Sequence, residues 1–295
     1  MASRRCACVS TRACASDPGT RFKKGCTRRE TLQGIPMVAA GLWLAQHSDA
    51  FATTVVLSQD ERRETMMKAF HEAAPKTKAP VLLRLAFHDA GTYDANTDTG
   101  GSNGSIRFEL NRPENGGLKR GLRCIDEVRN ALRDTSEENA SYADLISVGG
   151  AYAVEVCGGP RIDVPIGRLD VAEADPEGRM PLEDYSAGRL KDVFRRGGYT
   201  VQEFVALSGA HTVGGKGFGA PLEFSSVYYS ELLRKPWEDP SDKMNQMIGL
   251  ASDHAMADDE ECQSWIRKYA EDQDLFFRDF ARAYTKMSLS GARFA

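Results

Sequence analysis

The 295-residue chain reads as a mainly α-helical protein with little β structure. Three observations say so. Two Ser/Thr-x-x-Asp/Glu patterns stand just ahead of apolar runs, which is how a capped helix begins. Between residues 264 and 288 the aromatic residues recur at helical spacing, with charges between them. Strand signals are scarce, and Arg161-Ile162-Asp163-Val164-Pro165 is at most a short ribbon.

The elements follow in chain order. A helix is predicted from Pro80 through Val81-Leu82-Leu83-Arg84-Leu85-Ala86-Phe87-His88, with proline in its first turn and Gly91 at its end. Residues 91–117 are rich in glycine and proline and read as loop, as do 157–181 and 214–222. Ser141-Tyr142-Ala143-Asp144 is a capping box that opens an apolar run to Val154. Thr200-Val201-Gln202-Glu203 opens a shorter run to Leu207. Trp265, Tyr269, Phe276, Phe280, Tyr284 and Met287 then face one side of a C-terminal helical stretch and are expected in the core. No internal repeat or low-complexity tract interrupts this order.

Composition narrows the function. Hydrophobic residues make up 41% and charged residues 27%, as in a globular chain. The net charge of −4 argues against a general nucleic-acid binder, which needs a basic surface to neutralise phosphates. No apolar run reaches the length of a membrane span, so an integral membrane protein is not expected. The charge is uneven, however. Residues 1–52 carry eight Lys/Arg against Asp17, Glu30 and Asp49, leaving a net −9 on the remainder. Four cysteines (Cys6, Cys8, Cys14, Cys26) also lie in that head. Cys124, Cys157 and Cys262 are too widely spaced for a disulfide framework or a zinc site.

The head reads as an address. Residues 1–27 are rich in Arg, Ser, Ala and Cys, the composition of a transit peptide. Thr27-Arg28-Arg29-Glu30-Thr31-Leu32 follows, then the apolar stretch Ile35 to Ala45, then Ala50-Phe51-Ala52. A twin-arginine start, a short apolar region and an A-x-A end make a secretory signal. Together they resemble the two-part presequence of thylakoid-lumen proteins, with a mature domain over 53–295 beginning near Thr53; a bacterial periplasmic signal with a long basic start, or a single transit peptide with a chance arginine pair, are the alternatives.

Few residues beyond the head can carry chemistry. The histidines are His71, His88, His211 and His254. His88 follows Arg84 by one helical turn on an otherwise apolar helix, so the two share a face. A neutral imidazole there can take a proton while the guanidinium stabilises nascent negative charge. His211 stands in Ala206-Leu207-Ser208-Gly209-Ala210-His211-Thr212-Val213-Gly214, an apolar helix end breaking into glycines. It reads as a charge partner at a helix end or as a ligand. A ligand imidazole needs its other nitrogen held, usually by a carboxylate. Asp253 is one candidate, which spacing alone does not select.

Arg84-Leu85-Ala86-Phe87-His88-Asp89-Ala90-Gly91-Thr92-Tyr93-Asp94 resembles the distal-helix motif of plant-type haem peroxidases, and Ala206 to Gly214 resembles their proximal-histidine motif. Pro165-Ile166-Gly167-Arg168-Leu169-Asp170, Pro176-Glu177-Gly178-Arg179-Met180-Pro181 and Lys268 to Phe277 match further segments in the family's order, so the resemblance covers most of residues 60–290. The nearest branch is class I, which holds ascorbate peroxidase and cytochrome c peroxidase, and within it the ascorbate-peroxidase-like chloroplast members.

The resemblance implies two helical halves sandwiching haem b, with hydrogen peroxide and a small one-electron donor such as ascorbate as substrates. Such a protein protects against oxidative stress. It implies that His211 is the axial ligand and iron's only protein donor, with Asp253 on its far nitrogen and Ser208 near a haem propionate. Asp253 would lend the imidazole the anionic character that stabilises high-valent iron. His88 becomes the acid–base group and Arg84 its electrostatic partner. Asn115, in Pro113-Glu114-Asn115-Gly116-Gly117-Leu118, orients His88, with Glu109 behind it. Phe87 holds the position beside His88 where the class carries tryptophan, which argues against strong catalase activity. Leu222, after Ala220-Pro221, stands where the class carries a proximal tryptophan, so the second oxidising equivalent is not expected on a tryptophan there. Gly214-Gly215-Lys216-Gly217-Phe218-Gly219 lacks the arginine that ascorbate peroxidases use at the haem edge, although Lys76 is kept near the matching edge. The family's cation-site residues in that loop are mostly missing too, Thr212 remaining. The alternative reading is a haem-binding or non-catalytic lumenal protein on the same scaffold.

Overall fold

A computed structural model describes residues 57–237 and 248–295, so the signals read in residues 1–52 and the start near Thr53 lie outside the described residues. The described part is a set of α-helices joined by long loops. Its β content is two isolated bridges, Asp94 with Thr99 and Arg168 with Phe294. Residues 161–165, at most a short ribbon by their sequence, form no strand and belong to the loop read over 157–181.

Helix α1 (Gln59–Ala73) starts at a full capping box, in which Ser58 and Glu61 each satisfy the other's backbone N–H. Helix α2 (Ala79–Ala90) has Pro80 in its first turn and closes at Gly91, as expected. Two short 3₁₀ turns, Ser105–Phe108 and Pro113–Asn115, break the long loop before α3 (Lys119–Ala131).

Helix α4 (Tyr142–Val156) is buried without interruption from Ala143 to Val154. Its N-terminus corrects the sequence reading. Ser141 accepts from the Asp144 N–H at 3.0 Å, but the Asp144 carboxylate does not return to Ser141. It instead accepts from the Gly167 N–H at 2.7 Å and from the Arg168 guanidinium at 3.0 Å. A buried arginine needs a counter-charge more than the helix end needs a second cap.

Helix α5 (Ala187–Arg196) precedes α6 (Val201–Ser208), which opens at a complete Thr200–Glu203 box and tightens into a 3₁₀ turn over Gly209–Thr212. Then come α7 (Val227–Leu232), α8 (Ala251–Asp258), α9 (Glu260–Glu271) and α10 (Gln273–Leu289). The single C-terminal helical stretch expected over 264–288 is therefore two helices. Asp272 breaks it: its backbone is extended, and its side chain caps α10 by accepting from the Leu275 N–H at 2.9 Å. Tyr269, Phe276, Phe280, Tyr284 and Met287 are buried as expected, and Trp265 is half-buried against the core.

One core runs through these helices. Helix α2 lies along α4, and α10 packs on both α2 and α6. Gly150 makes the α2–α4–α10 crossing possible. A Cβ there would stand 1.9 Å from the Tyr284 hydroxyl and 2.6 Å from the Ala86 Cβ. Cys124, Cys157 and Cys262 are free thiols, all buried.

Candidate active site

His88 lies in the buried last turn of α2, and its position is set from the following loop. His88 Nδ1 hydrogen-bonds the Asn115 amide oxygen at 2.7 Å. Asn115 is itself buried and donates to the Glu109 backbone carbonyl at 3.0 Å. The resemblance sets Glu109 behind Asn115, and the structure refines how: the carbonyl does the holding. The Glu109 carboxylate faces away, accepting from the Arg112 guanidinium at 2.7 Å and the Asp175 N–H at 2.9 Å. Asp89, the residue after His88, anchors the same loop by accepting from the Gly104 and Ile106 N–H groups. Two helix-to-loop ties thus fix one imidazole. Its Nε2 has no hydrogen-bond partner among the described residues.

Arg84 lies one turn back on α2. Its guanidinium donates to the Gly116 and Glu114 carbonyls, both at 2.7 Å, on either side of Asn115. Arg84 and His88 are therefore oriented by the same short segment, 114–116. Burial is the main cause holding the His88 imidazole down, to about 4, and the Arg84 charge adds to it. The Asn115 hydrogen bond opposes both. His88 is neutral at physiological pH, as a proton acceptor must be.

His211 sits on the 3₁₀ turn that ends α6. Its Nδ1 hydrogen-bonds the Asp253 carboxylate at 2.8 Å. Asp253 lies in the first turn of α8 and also accepts from the Leu250 N–H and the Tyr228 hydroxyl, both at 2.8 Å. Burial works against charge on both partners, but their mutual attraction outweighs it. The imidazole is held above its ordinary range and the carboxylate below. The His211 side chain keeps 39% of its surface open although Gly209 and Thr212 beside it are buried. Its Nε2 has no hydrogen-bond partner among the described residues.

Neighbours of the two imidazoles come together in the fold. Phe87, next to His88, and Leu207, on the last turn of α6, line the same small cavity with Phe194 and Met287. Glu183 acts electrostatically on both Arg84 and His211. A Cβ on Gly214 would lie 3.7 Å from Pro80, so the loop after His211 reaches the start of α2. Beside the His88 group a cavity of about 470 Å³ opens, lined by Phe108, Pro113, Glu114, Met180, Leu182 and Tyr185 among others.

The remaining expected residues are placed as follows. Phe87 is half-buried, with its ring 6.0 Å from the His88 ring and stacked 6.2 Å from Phe194. The Ser208 hydroxyl donates back to the Phe204 carbonyl at 3.0 Å. The Thr212 hydroxyl reaches the Glu223 carbonyl at 3.4 Å. Lys76 is exposed on a 3₁₀ turn, and Leu222 is half-buried against the core. Sequence reasoning missed Tyr228 and Glu183. Both reach the site through the fold from remote positions, and neither stands in a motif that could have marked it.

The donor set suits haem. Iron already carried in a porphyrin needs one axial imidazole with its far nitrogen held, which is what His211 and Asp253 offer.

Comparison with known proteins agrees with this geometry. A family model described as Peroxidase matches residues 62–220. The chain is 45% identical over 282 residues to "Putative L-ascorbate peroxidase 6" of Arabidopsis thaliana, covering 96% of this chain and 82% of that protein. It is 41% identical to "L-ascorbate peroxidase 5, peroxisomal" of the same plant, over 72% and 76% of the two chains. It is 39% identical to "Putative heme-binding peroxidase" of Mycosarcoma maydis, over 70% and 71%. With its two oriented histidines on the matched helices, the chain belongs to the peroxidase family, in the plant-type class I branch.

Proposed function

We propose that this chain is a haem-dependent peroxidase that reduces hydrogen peroxide to water at the expense of ascorbate. One observation carries the reading. Two imidazoles are each held through Nδ1 by a separate side chain, Asn115 for His88 and Asp253 for His211, and each keeps its Nε2 for other work.

Haem is the cofactor, and when bound it supplies the oxidation–reduction chemistry. His211 would hold the iron, and Asp253 keeps His211 in place. His88 takes a proton from incoming peroxide and returns it to the leaving oxygen, which departs as water. Arg84 stabilises the charge that develops between the two oxygens. Asn115 fixes the tautomer of His88, and Phe87 and Ser208 would border the haem. The cavity of about 470 Å³ lined by Pro113 and Glu114, the latter holding Arg84 through its carbonyl, is of a size for a small organic donor. The names of the relatives support ascorbate. The glycine-rich loop after His211, which has Lys216 as its single cation, sets this chain apart from the arginine-bearing pattern.

The test is spectroscopic and kinetic. Purified protein is expected to show a Soret band that hydrogen peroxide alters rapidly. His88→Leu should slow that response by about 10²–10⁴-fold while haem stays bound. A Soret band indifferent to peroxide would remove the activity. Among ascorbate, guaiacol and reduced cytochrome c, ascorbate is expected to give the highest kcat/KM.

Residues 1–52 direct the protein to the chloroplast and on to the thylakoid lumen. The support is the composition and order of the two signals. Fused to a fluorescent protein, this segment should deliver it to the lumen of isolated chloroplasts, and changing Arg28 and Arg29 to lysine should stop it in the stroma. Retention of the fusion outside chloroplasts would sink the assignment.

A further inference from the structure

In this chain the position expected for a proximal tryptophan is Leu222, which has no oxidisable ring. The side chain that meets the His211–Asp253 pair is Tyr228, on α7. Its hydroxyl donates to Asp253 Oδ1 at 2.8 Å, and its ring stands edge-on to the His211 ring at 6.1 Å. Tyr228 does not end the series. The Tyr229 ring lies 5.0 Å from it, the Tyr269 ring 5.1 Å further, and Trp265 another 6.0 Å on. The three tyrosines are wholly buried, while Trp265 is half-buried on the outer side of α9. Four oxidisable rings therefore connect the iron ligand to the surface, each close to van der Waals contact with the next.

The hydroxyl partners differ along this series. A phenol gives up an electron readily when its proton has somewhere to go. Tyr228 has the Asp253 carboxylate, and Tyr269 has the Asp279 carboxylate at 2.9 Å. Tyr229 donates to the Val205 and Ala206 carbonyls, which are poor proton acceptors. Tyr228 and Tyr269 are thus resting places for an unpaired electron, and Tyr229 is a bridge between them. Phe276 packs against both Tyr229 and Tyr269 and offers no competing oxidisable ring.

We infer that Tyr228 carries the second oxidising equivalent in this protein, and that Tyr229, Tyr269 and Trp265 conduct it to the surface of α9. The inference rests on the haem-peroxidase reading, because peroxide-oxidised haem is the oxidant. The balance is as follows. One electron leaves Tyr228 for the oxidised haem, and the hydroxyl proton passes to Asp253, leaving a neutral phenoxyl. An electron from Tyr269, by way of Tyr229, refills Tyr228, which recovers its proton from Asp253. The Tyr269 proton passes to Asp279. A one-electron donor of the phenol or enediol class, meeting Trp265 at the surface, then returns an electron to Tyr269, which takes its proton back from Asp279, and the donor leaves as its own radical after giving its proton to water. Donors too large to enter the site can be oxidised by this route.

The experiment uses haem-loaded full chain frozen shortly after mixing with hydrogen peroxide. Electron paramagnetic resonance is expected to show a tyrosyl signal that narrows when the protein is grown on ring-deuterated tyrosine, and the signal is expected to be lost in Tyr228→Phe. In parallel, a nitroso spin trap followed by peptide mass spectrometry is expected to mark the Trp265 peptide in the wild type. That mark should fall to background in Tyr269→Phe, a variant distant from the haem. A wild-type Soret response to peroxide with no tyrosyl signal, or with the same signal in Tyr228→Phe, overturns the relay and leaves the peroxidase reading standing. Equal trapping at Trp265 in Tyr269→Phe overturns it as well. Absence of any Soret response instead overturns the reading beneath it.

Discussion

At the scale of the residue, the site is two imidazoles made unlike by their neighbours. His88 is buried beside a cation and held neutral, to about 4. His211 is held above its ordinary range by a carboxylate that outweighs its burial. The difference has a measurable consequence. With neutral His88 as the proposed proton acceptor, the rate of the peroxide response should be level through neutral pH and fall as pH drops through about 4. Arg84→Leu removes the cation that helps depress His88, so its inflection should move up, toward the ordinary 6.5. An inflection that stays in place would mean that another group sets it. The sign for stability is opposite to that of a salt-bridged histidine. Between 6.5 and about 4 the unfolded chain binds more protons at this residue, so its contribution weakens the fold as pH falls through that window. The Arg84–His88 pairing was legible in the sequence because both lie one turn apart on one helix. Tyr228 was not, because its partner Asp253 is 25 residues away and meets it only through the packing of α7 on α8.

At the scale of the element, local rules explain most starts and stops, and the exceptions mark long-range demands. Thr200 and Glu203 cap α6 reciprocally, as their spacing predicts. Asp144 abandons the same role because Arg168 needs it. Arg168 is fully buried, pairs with Asp144 at 3.0 Å, and donates to the Ser288 carbonyl at 2.9 and 2.6 Å. It therefore joins the start of α4, its own loop at the Pro165 carbonyl, and the end of α10. Arg168→Leu leaves the Asp144 carboxylate buried without its partner and should cost about 3–5 kcal/mol in urea unfolding. A loss below about 1 kcal/mol, the value for an exposed pair, would show that the pair is not structurally important. The break at Asp272 escaped periodicity for a related reason. The apolar spacing continues across α9 and α10, so only the capping aspartate betrays the join.

At the scale of the whole molecule, the candidate site draws on α2, the loop after it, the turn that ends α6 and the first turn of α8, and the packed helices hold these in register. The family and its helical character were legible because five motif segments keep their order along the chain. How the site is held was less so, because Glu109 acts through a carbonyl rather than its carboxylate. Haem bound by folded chain alone should raise its stability by about 2.7 kcal/mol when free haem is at a hundred times Kd. Calorimetry should find that gain largely absent in His211→Ala, and an equal gain in that variant would point to a different ligand. The three buried cysteines acquire a meaning from this chemistry. Peroxide attacks the thiolate, and burial raises all three thiols, with Asp259 helping to push Cys262 up to about 12. Sulfur kept protonated and walled off is sulfur its own substrate leaves untouched, so turnover in excess oxidant should damage the aromatic rings before it reaches any of these three.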